Sequence, residues 1–244
     1  MEKYLYKKLY QIESHYWWHK GRRKLLGNFL KKCCNGCKNP IILDAGCGTG
    51  ANLEFLSAYG KAIGVDNSKD ALHFCKSNQL NRLALGDIEH LPFPSNSFDG
   101  VVALDVIEHM KDDLICLKEF YRVLKPGGFL IICTAAHQIL WSYWDELSHH
   151  YRRYSRKDSS QKLIDVGFAK VTTSHFNFFM TPIIAMVRCC KSFFLNEDDK
   201  NISDFHALPN ILNSFLIQVL TFESLIMNIF PIPFGMSLIC VSKK

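Results

Sequence analysis

The densest chemistry in the sequence lies in Ile42-Leu43-Asp44-Ala45-Gly46-Cys47-Gly48-Thr49-Gly50. An apolar run ends in a carboxylate, and glycines follow whose missing side chains let backbone approach a bound molecule closely. Read as Gly46-x-Gly48-x-x-Ala51, the loop also satisfies a dinucleotide fingerprint. Charge separates the two readings. The pyrophosphate of a nicotinamide dinucleotide would sit at this turn, where Asp44 would oppose it. S-adenosyl-L-methionine has no phosphate, and its ammonium and sulfonium groups are cations that Asp44 attracts. Asp66 ends the next apolar run and is placed to accept hydrogen bonds from the ribose hydroxyls of either cofactor. Any one of these residues alone reads as turn chemistry; together, after a buried strand, they read as a ligand site.

A second constellation is Trp141-Ser142-Tyr143-Trp144-Asp145-Glu146-Leu147-Ser148-His149-His150-Tyr151-Arg152-Arg153-Tyr154-Ser155, which follows a strand pattern directly. Asp145, five residues before His150, is spaced to orient it as a general base for a hydroxyl or amine. The competing reading pairs Asp145 with Arg152 or Arg153 as a brace within the loop. Cys34-x-x-Cys37 is a single pair with no second pair at zinc-finger spacing, so no metal site is expected there.

The elements that must hold these residues alternate strand with helix, the pattern of an α/β fold. Strands are expected at 41–44, 62–66, 82–87, 98–104, 129–134 and 169–176, with a last one at 236–241. Helices are expected at 3–12, 51–59, 69–78 and 112–124, the last stopped by Pro126-Gly127-Gly128. Ser155-x-x-Asp158 marks a helix start and Gly167 its end. Leu5, Leu9 and Ile12 give the first helix an apolar stripe, which leads into Tyr16-Trp17-Trp18. From Phe178 to Pro233 the chain is rich in Phe, Ile and Leu, broken by a polar patch at Asn196–Asp204.

Beyond the glycine loop the chain carries Gly86-Asp87-Ile88, Leu91-Pro92-Phe93, Phe98-Asp99, Leu104-Asp105-Val106-Ile107-Glu108-His109 and Arg122-Val123-Leu124-Lys125-Pro126-Gly127-Gly128, in order and at normal spacing. With these it resembles the class I S-adenosylmethionine-dependent methyltransferases, in the branch similar to ubiquinone-biosynthesis enzymes. The resemblance runs from about Ile41 to Phe168 and resumes at the last strand. It implies a Rossmann-like, doubly wound sheet of seven strands, mostly parallel, whose last strand is antiparallel and pairs beside the sixth. It divides the chain into an amino-terminal helical lid (1–38), a cofactor-binding core (39–177), an apolar insertion (178–234) and the last strand (235–244). It further implies that Asp44, Gly46, Gly48, Gly50, Asp66 and Asn67 hold the cofactor, with Asp87 on the adenine amino group and Ile88 on its ring. Leu104 and Asp105 would line the methionine side. Trp18 and Arg22 would close over the sulfonium and fork onto the methionine carboxylate.

Some relatives hold magnesium with a carboxylate-x-x-Glu-His cluster, and Asp105, Glu108 and His109 have that spacing on one face if a helix begins there. The expectation is no metal, with His109 lining the substrate cavity. The catalytic candidates are therefore His150, Asp145 and His109. The acceptor is expected to be a small, apolar or lipid-like molecule methylated on oxygen or nitrogen.

At 244 residues and 48% hydrophobic, the chain is long enough to bury a core without disulfide or metal staples. Its ten cysteines read as reduced thiols, and the start lacks the apolar region of a secretory segment, so a cytoplasmic protein is expected. Residues 1–38 hold ten Lys and Arg against two Asp and Glu, while the rest is nearly neutral. A basic front end meets an anionic membrane, a phosphorylated substrate or nucleic acid, or is merely a solvated face. The uncharged run 224–242 contains Asn228, Pro231, Pro233 and Gly235, which argue against a spanning helix. The insertion has three open uses: to roof an acceptor cavity, to lie on a membrane surface as a peripheral contact, or to pack a homodimer. Two rival functions stay in view: a nucleic-acid or protein methyltransferase, disfavoured by the missing Asn/Asp-Pro-Pro-aromatic motif, and a cofactor-binding module without catalysis.

Overall fold

The computed structural model describes residues 3–194 and 208–244; the polar patch Asn196–Asp204 lies outside them. Strands β1 (Ile41–Ala45), β2 (Lys61–Asp66), β3 (Leu83–Leu85), β4 (Phe98–Leu104), β5 (Leu124–Ala135), β6 (Ala169–Phe176) and β7 (Ser237–Lys243) form one sheet. Their order is β3-β2-β1-β4-β5-β7-β6, and β7 runs antiparallel between β5 and β6. This is the expected seven-stranded, Rossmann-like sheet, with the last strand pairing beside the sixth.

Both faces of the sheet are covered, so its strands read as near-continuous apolar runs whose alternate residues enter different cores. Leu43, Val101 and Leu130 pack with Leu117 and Phe120 of α5 (Asp113–Val123) and Leu163 of α7 (Arg156–Val166). Ile42, Val102 and Ile131 face the other way, onto Leu25, Leu26 and Leu30 of α2 (Trp17–Cys33) and Leu53 and Leu56 of α3 (Ala51–Ser57). The remaining helices are α1 (Lys3–Ile12), α4 (Lys69–Ser77), α6 (Tyr143–Leu147), α8 (Thr181–Phe194) and α9 (Asn210–Ile226).

Three expectations about local structure are corrected. The third strand is only three residues long, because it is the sheet's edge and pairs on one side alone. The fifth begins at Leu124 and not Phe129: Leu124 pairs with Phe98, and Lys125 to Gly128 are accommodated as an irregularity before Phe129 pairs with Gly100. No α-helix begins at Asp105; a single 3-10 turn spans Ile107–His109, after an Asp105 held at φ +55°. Other signals hold as read. The Ser155 hydroxyl accepts from the Asp158 N–H at 3.1 Å, and Gly167 closes α7 at φ +113°.

The insertion returns to the body through α9, which lies along α2. Leu220 occupies the space beside Gly21, where an added Cβ would stand 2.5 Å from its Cδ1. The Trp17 N–H donates to Asn213 Oδ1 at 2.8 Å, and Asn28 reaches the Ser224 hydroxyl at 3.3 Å. Glu223, fully buried, accepts the N–H groups of Asn177 and Phe178 at the end of β6 and so fixes the rotation of α9.

Candidate active site

The loops after β1 to β5 all leave the carboxyl edge of the parallel strands, where α/β folds place ligands. There they enclose a cavity of about 830 Å³, which α1, α2, α8 and α9 complete from the far side.

One end is the glycine loop. The Gly46 and Cys47 N–H groups donate to Val65 O, which folds the loop over β2. Gly46 adopts φ +73°, and a Cβ there would meet Val106 Cγ2 at 2.7 Å, so the close packing admits only glycine. Gly48, at φ +53°, has nothing within 4 Å of where its Cβ would stand. Asp66 is fixed by the loop it serves: its Oδ2 accepts the Gly48 N–H at 2.9 Å, and its Oδ1 the Ser68 N–H at 2.9 Å. Burial raises its carboxyl above the usual range. Asp44 is buried with Oδ2 unpartnered, and burial pushes its carboxyl up to about 7.

An acceptor left unpaired directly before an open glycine turn lacks the cationic group that would repay its desolvation. The residues present therefore fit S-adenosylmethionine. They fit a nicotinamide dinucleotide poorly, since its pyrophosphate at this turn would offer buried Asp44 no cation, while Asp66 suits the ribose of either cofactor. Asn67, Ile88, Leu104 and Asp105 line the cavity beside the loop. Asp44 and Gly50 are not among the lining residues; Gly50 is packed against Leu80 and Cys75. Asp87 is exposed and accepts the Glu89 N–H at 3.0 Å, while its neighbours Gly86 and Ile88 do line the cavity.

The amino-terminal segment closes this end more tightly than its sequence indicates. The Thr49 hydroxyl donates to the Glu13 carboxylate, and buried Arg22 forms an ion pair with Asp105. The Arg22 guanidinium also sits 5.7 Å from the centre of the Trp18 ring, which stacks on Phe176 at 5.5 Å. Trp18 and Arg22 both line the cavity, and each has a partner within the protein.

The other end is built from imidazoles and carboxylates. Asp145 is fully buried, and Arg153 grips both its oxygens at 2.7 and 2.8 Å. The same carboxylate takes His150 Nδ1 at 2.9 Å. Both pairings read for Asp145, with His150 and with Arg153, are thus present at once, because the carboxylate has lone pairs for both partners. Hydrogen bonds from His150 and Arg153 outweigh the burial and hold the Asp145 carboxyl far below its usual range. With Nδ1–H donating to Asp145, the basic Nε2 of His150 is left for the cavity.

His109 packs edge-on to His150 with centroids 4.7 Å apart, and burial pushes it down to about 4. Glu108 is buried beside them. It accepts the Ala135 N–H at 3.2 Å, and burial, then the charge of Asp105, pushes it up to about 7. His109, His149 and His150 line the cavity, whereas His137 stacks on His175 and Phe234. Among the described residues no group of His, Cys, Asp and Glu is arranged to hold a metal ion, and Asp105 is taken by Arg22.

Sequence reasoning missed Glu108 as a buried acid, for which no local signal exists, and did not single out Ile183, Ile184, Val187 and Leu216 as the part of the insertion that walls the cavity.

A seven-stranded sheet with an antiparallel last strand, and a glycine loop facing a carboxylate on β2, define the class I methyltransferase fold. Residues 43–132 match the methyltransferase domain family. Cycloartenol-C-24-methyltransferase of Arabidopsis thaliana is 35% identical over 106 residues, covering 40% of this chain and 30% of that protein. Malonyl-[acyl-carrier protein] O-methyltransferase of Yersinia pestis is 28% identical over 150 residues, 61% of this chain and 55% of the relative. Demethylmenaquinone methyltransferase of Oceanobacillus iheyensis is 37% identical over 111 residues, 41% and 47% of the two chains.

The matched stretch thus spans about half or less of these relatives. Among solved structures, phosphoethanolamine N-methyltransferase 2 of Haemonchus contortus, in complex with S-adenosyl-L-methionine, superposes with a TM-score of 0.59 at 20% identity. The match covers 89% of this chain and 51% of that one. An S-adenosylmethionine-dependent methyltransferase of Thermotoga maritima gives 0.58 at 16% identity, covering 98% and 94%. At such identities the likeness is one of fold.

Proposed function

We propose that this protein transfers a methyl group from S-adenosyl-L-methionine to a small, apolar acceptor bearing a hydroxyl or amine. The observation that carries the reading is the two-ended cavity: a glycine loop with Asp66 at one end, His150 with an apolar wall at the other, and Asp105 between them. When bound, S-adenosylmethionine supplies an electrophilic methyl group on a sulfonium. The chain's own residues do the rest. Asp66 and Asn67 would hold the ribose side, Ile88 would pack on the base, and buried Asp44 behind the loop would gain in the sulfonium and ammonium groups the cations that favour its ionised form. Arg22, oriented by Asp105, offers donors to a carboxylate.

At the other end His150 Nε2 takes the acceptor's proton, while Asp145 holds Nδ1–H and stabilises the imidazolium that results. Arg153 keeps Asp145 ionised and still, so it acts as a positioning residue. Tyr16, Trp17 and Trp18 with α1 exclude water, the lid role read for residues 1–38. The apolar wall from the insertion selects for apolar acceptors.

The test uses cofactor labelled in its methyl group, offered to cell extracts divided into organic-soluble metabolites, protein and RNA. Label is expected in the organic-soluble fraction. His150→Gln should lower the rate at least about 100-fold with little change in cofactor affinity. Label confined to protein or RNA would contradict the reading.

A further inference from the structure

One face of the insertion is used by neither the cavity nor the core. Ile211, Phe215, Phe222 and Leu225 follow each other at i, i+4, i+11 and i+14 on α9, interrupted only by Gln218, and all four are more than half exposed. Ile229 and Phe230 continue the stripe past the helix, and Ile229 is 81% exposed. Such a stripe on a surface helix would ordinarily turn inward. Here it cannot, because Glu223 on the opposite side is buried and bound to the backbone of Asn177 and Phe178, and Leu220 is locked against Gly21. From Asn210 to Phe234 the one ionisable side chain is that same Glu223. No helix among the described residues is long and apolar enough to cross a membrane.

We infer that this stripe seats the protein on an anionic lipid bilayer, with α9 lying in the interfacial plane. Two further observations select a bilayer over a second copy of the chain. The first is charge. On α2, Trp17, Gly21 and Asn28 touch α9, and helical spacing puts Lys20, Lys24 and Lys31, all exposed, on the row beside them. A lysine row bordering an apolar stripe matches anionic headgroups around an acyl interior. A symmetric dimer through the stripe would gather two such rows around one contact.

The second is the cavity's own wall. Ile183 and Val187 of α8 line the cavity and are also nearly half exposed, so its apolar end opens on the insertion's surface. Phe179, two residues before α8, meets Phe222 of the stripe at 6.2 Å between ring centres. An acceptor dissolved in the bilayer therefore enters without crossing water. The docking stands on the surface alone; its use for acceptor delivery rests on the function proposed above.

The experiment is flotation of the full chain with vesicles of phosphatidylcholine alone and of phosphatidylcholine mixed with phosphatidylglycerol. S-adenosylhomocysteine affinity and melting temperature are measured on every variant. The wild type should float with the anionic vesicles, less so as salt rises. Phe215→Ser combined with Phe222→Ser should cut the bound fraction at least about tenfold while leaving S-adenosylhomocysteine affinity unchanged. Lys20→Gln with Lys24→Gln and Lys31→Gln should reduce anionic binding to the level of neutral vesicles.

A wild type that binds S-adenosylhomocysteine but floats with neither vesicle would overturn the inference, as would phenylalanine variants that float like the wild type. Light scattering that finds a dimer split by the phenylalanine variants would give the face to a second copy. Flotation without S-adenosylhomocysteine binding would leave the docking standing and remove the methyltransferase reading.

Discussion

At the glycine-loop end of the cavity, the groups on the ribose side come from residues 46–67 and are held by backbone: Gly48 and Ser68 donate to Asp66, and Val65 receives the loop. The imidazole end is assembled by side chains from β5's following segment, the turn after β4 and the insertion, meeting through Asp145, Arg153, His150 and Glu108. The first end is therefore local and conformational, set by where glycine can go. The second is long-range and electrostatic, set by which buried charges find each other. A local loop tolerates little change in backbone but takes its shape without distant segments, which only close over it; an assembled site fails when any one partner is removed.

The largest effect expected follows from that contrast. Asp145→Ala leaves Arg153 buried without its counter-charge and frees His150. It should cost about 3–5 kcal/mol of stability in chemical denaturation, while the folded fraction still binds S-adenosylhomocysteine. Loss of S-adenosylhomocysteine binding from that fraction would show that the two ends are one unit. Next, Glu223→Ala removes the acceptor of two backbone N–H groups and should cost about 2–3 kcal/mol. Proteolysis should then begin in α9 and leave the glycine end protected.

Gly48→Ala breaks the opposite end. With open space around the added Cβ, its cost is the left-handed backbone alone, about 1–2 kcal/mol, yet S-adenosylhomocysteine affinity should fall by more than tenfold. The smallest effects are of opposite sign at the two ends. His109 stays neutral in the fold, so below its ordinary value of 6.5 the unfolded chain binds more protons and stability falls with pH until about 4. Asp44 stays protonated up to about 7, so its penalty grows as pH rises from 3.8. His109→Gln should gain on the wild type as pH falls, and Asp44→Asn as pH rises. Each difference should reach about 1 kcal/mol one pH unit from the ordinary value, measured by denaturant melts.

The same contrast explains what could be read before the fold was seen. Strand Phe98–Leu104, strand Ala169–Phe176, the cap at Ser155 and the glycine loop are written in neighbouring residues, and they stand where the sequence puts them. Arg22 with Asp105, and Glu223 with Asn177, join residues dozens of positions apart, which no local pattern encodes. Asp105 illustrates the boundary: its spacing to Glu108 and His109 suggested one helical face, but a left-handed backbone and a 3-10 turn aim the three apart from that pattern. For Asp145, sequence reasoning framed two pairings as alternatives, although a carboxylate can serve both.

The most direct test of the central claim is calorimetry of S-adenosylmethionine, S-adenosylhomocysteine and NAD on the wild type and on Asp66→Ala. The account predicts micromolar binding of the first two, lost in the variant, and no binding of NAD. Binding of NAD alone, or an Asp66→Ala variant that holds S-adenosylhomocysteine as tightly as the wild type, would contradict it.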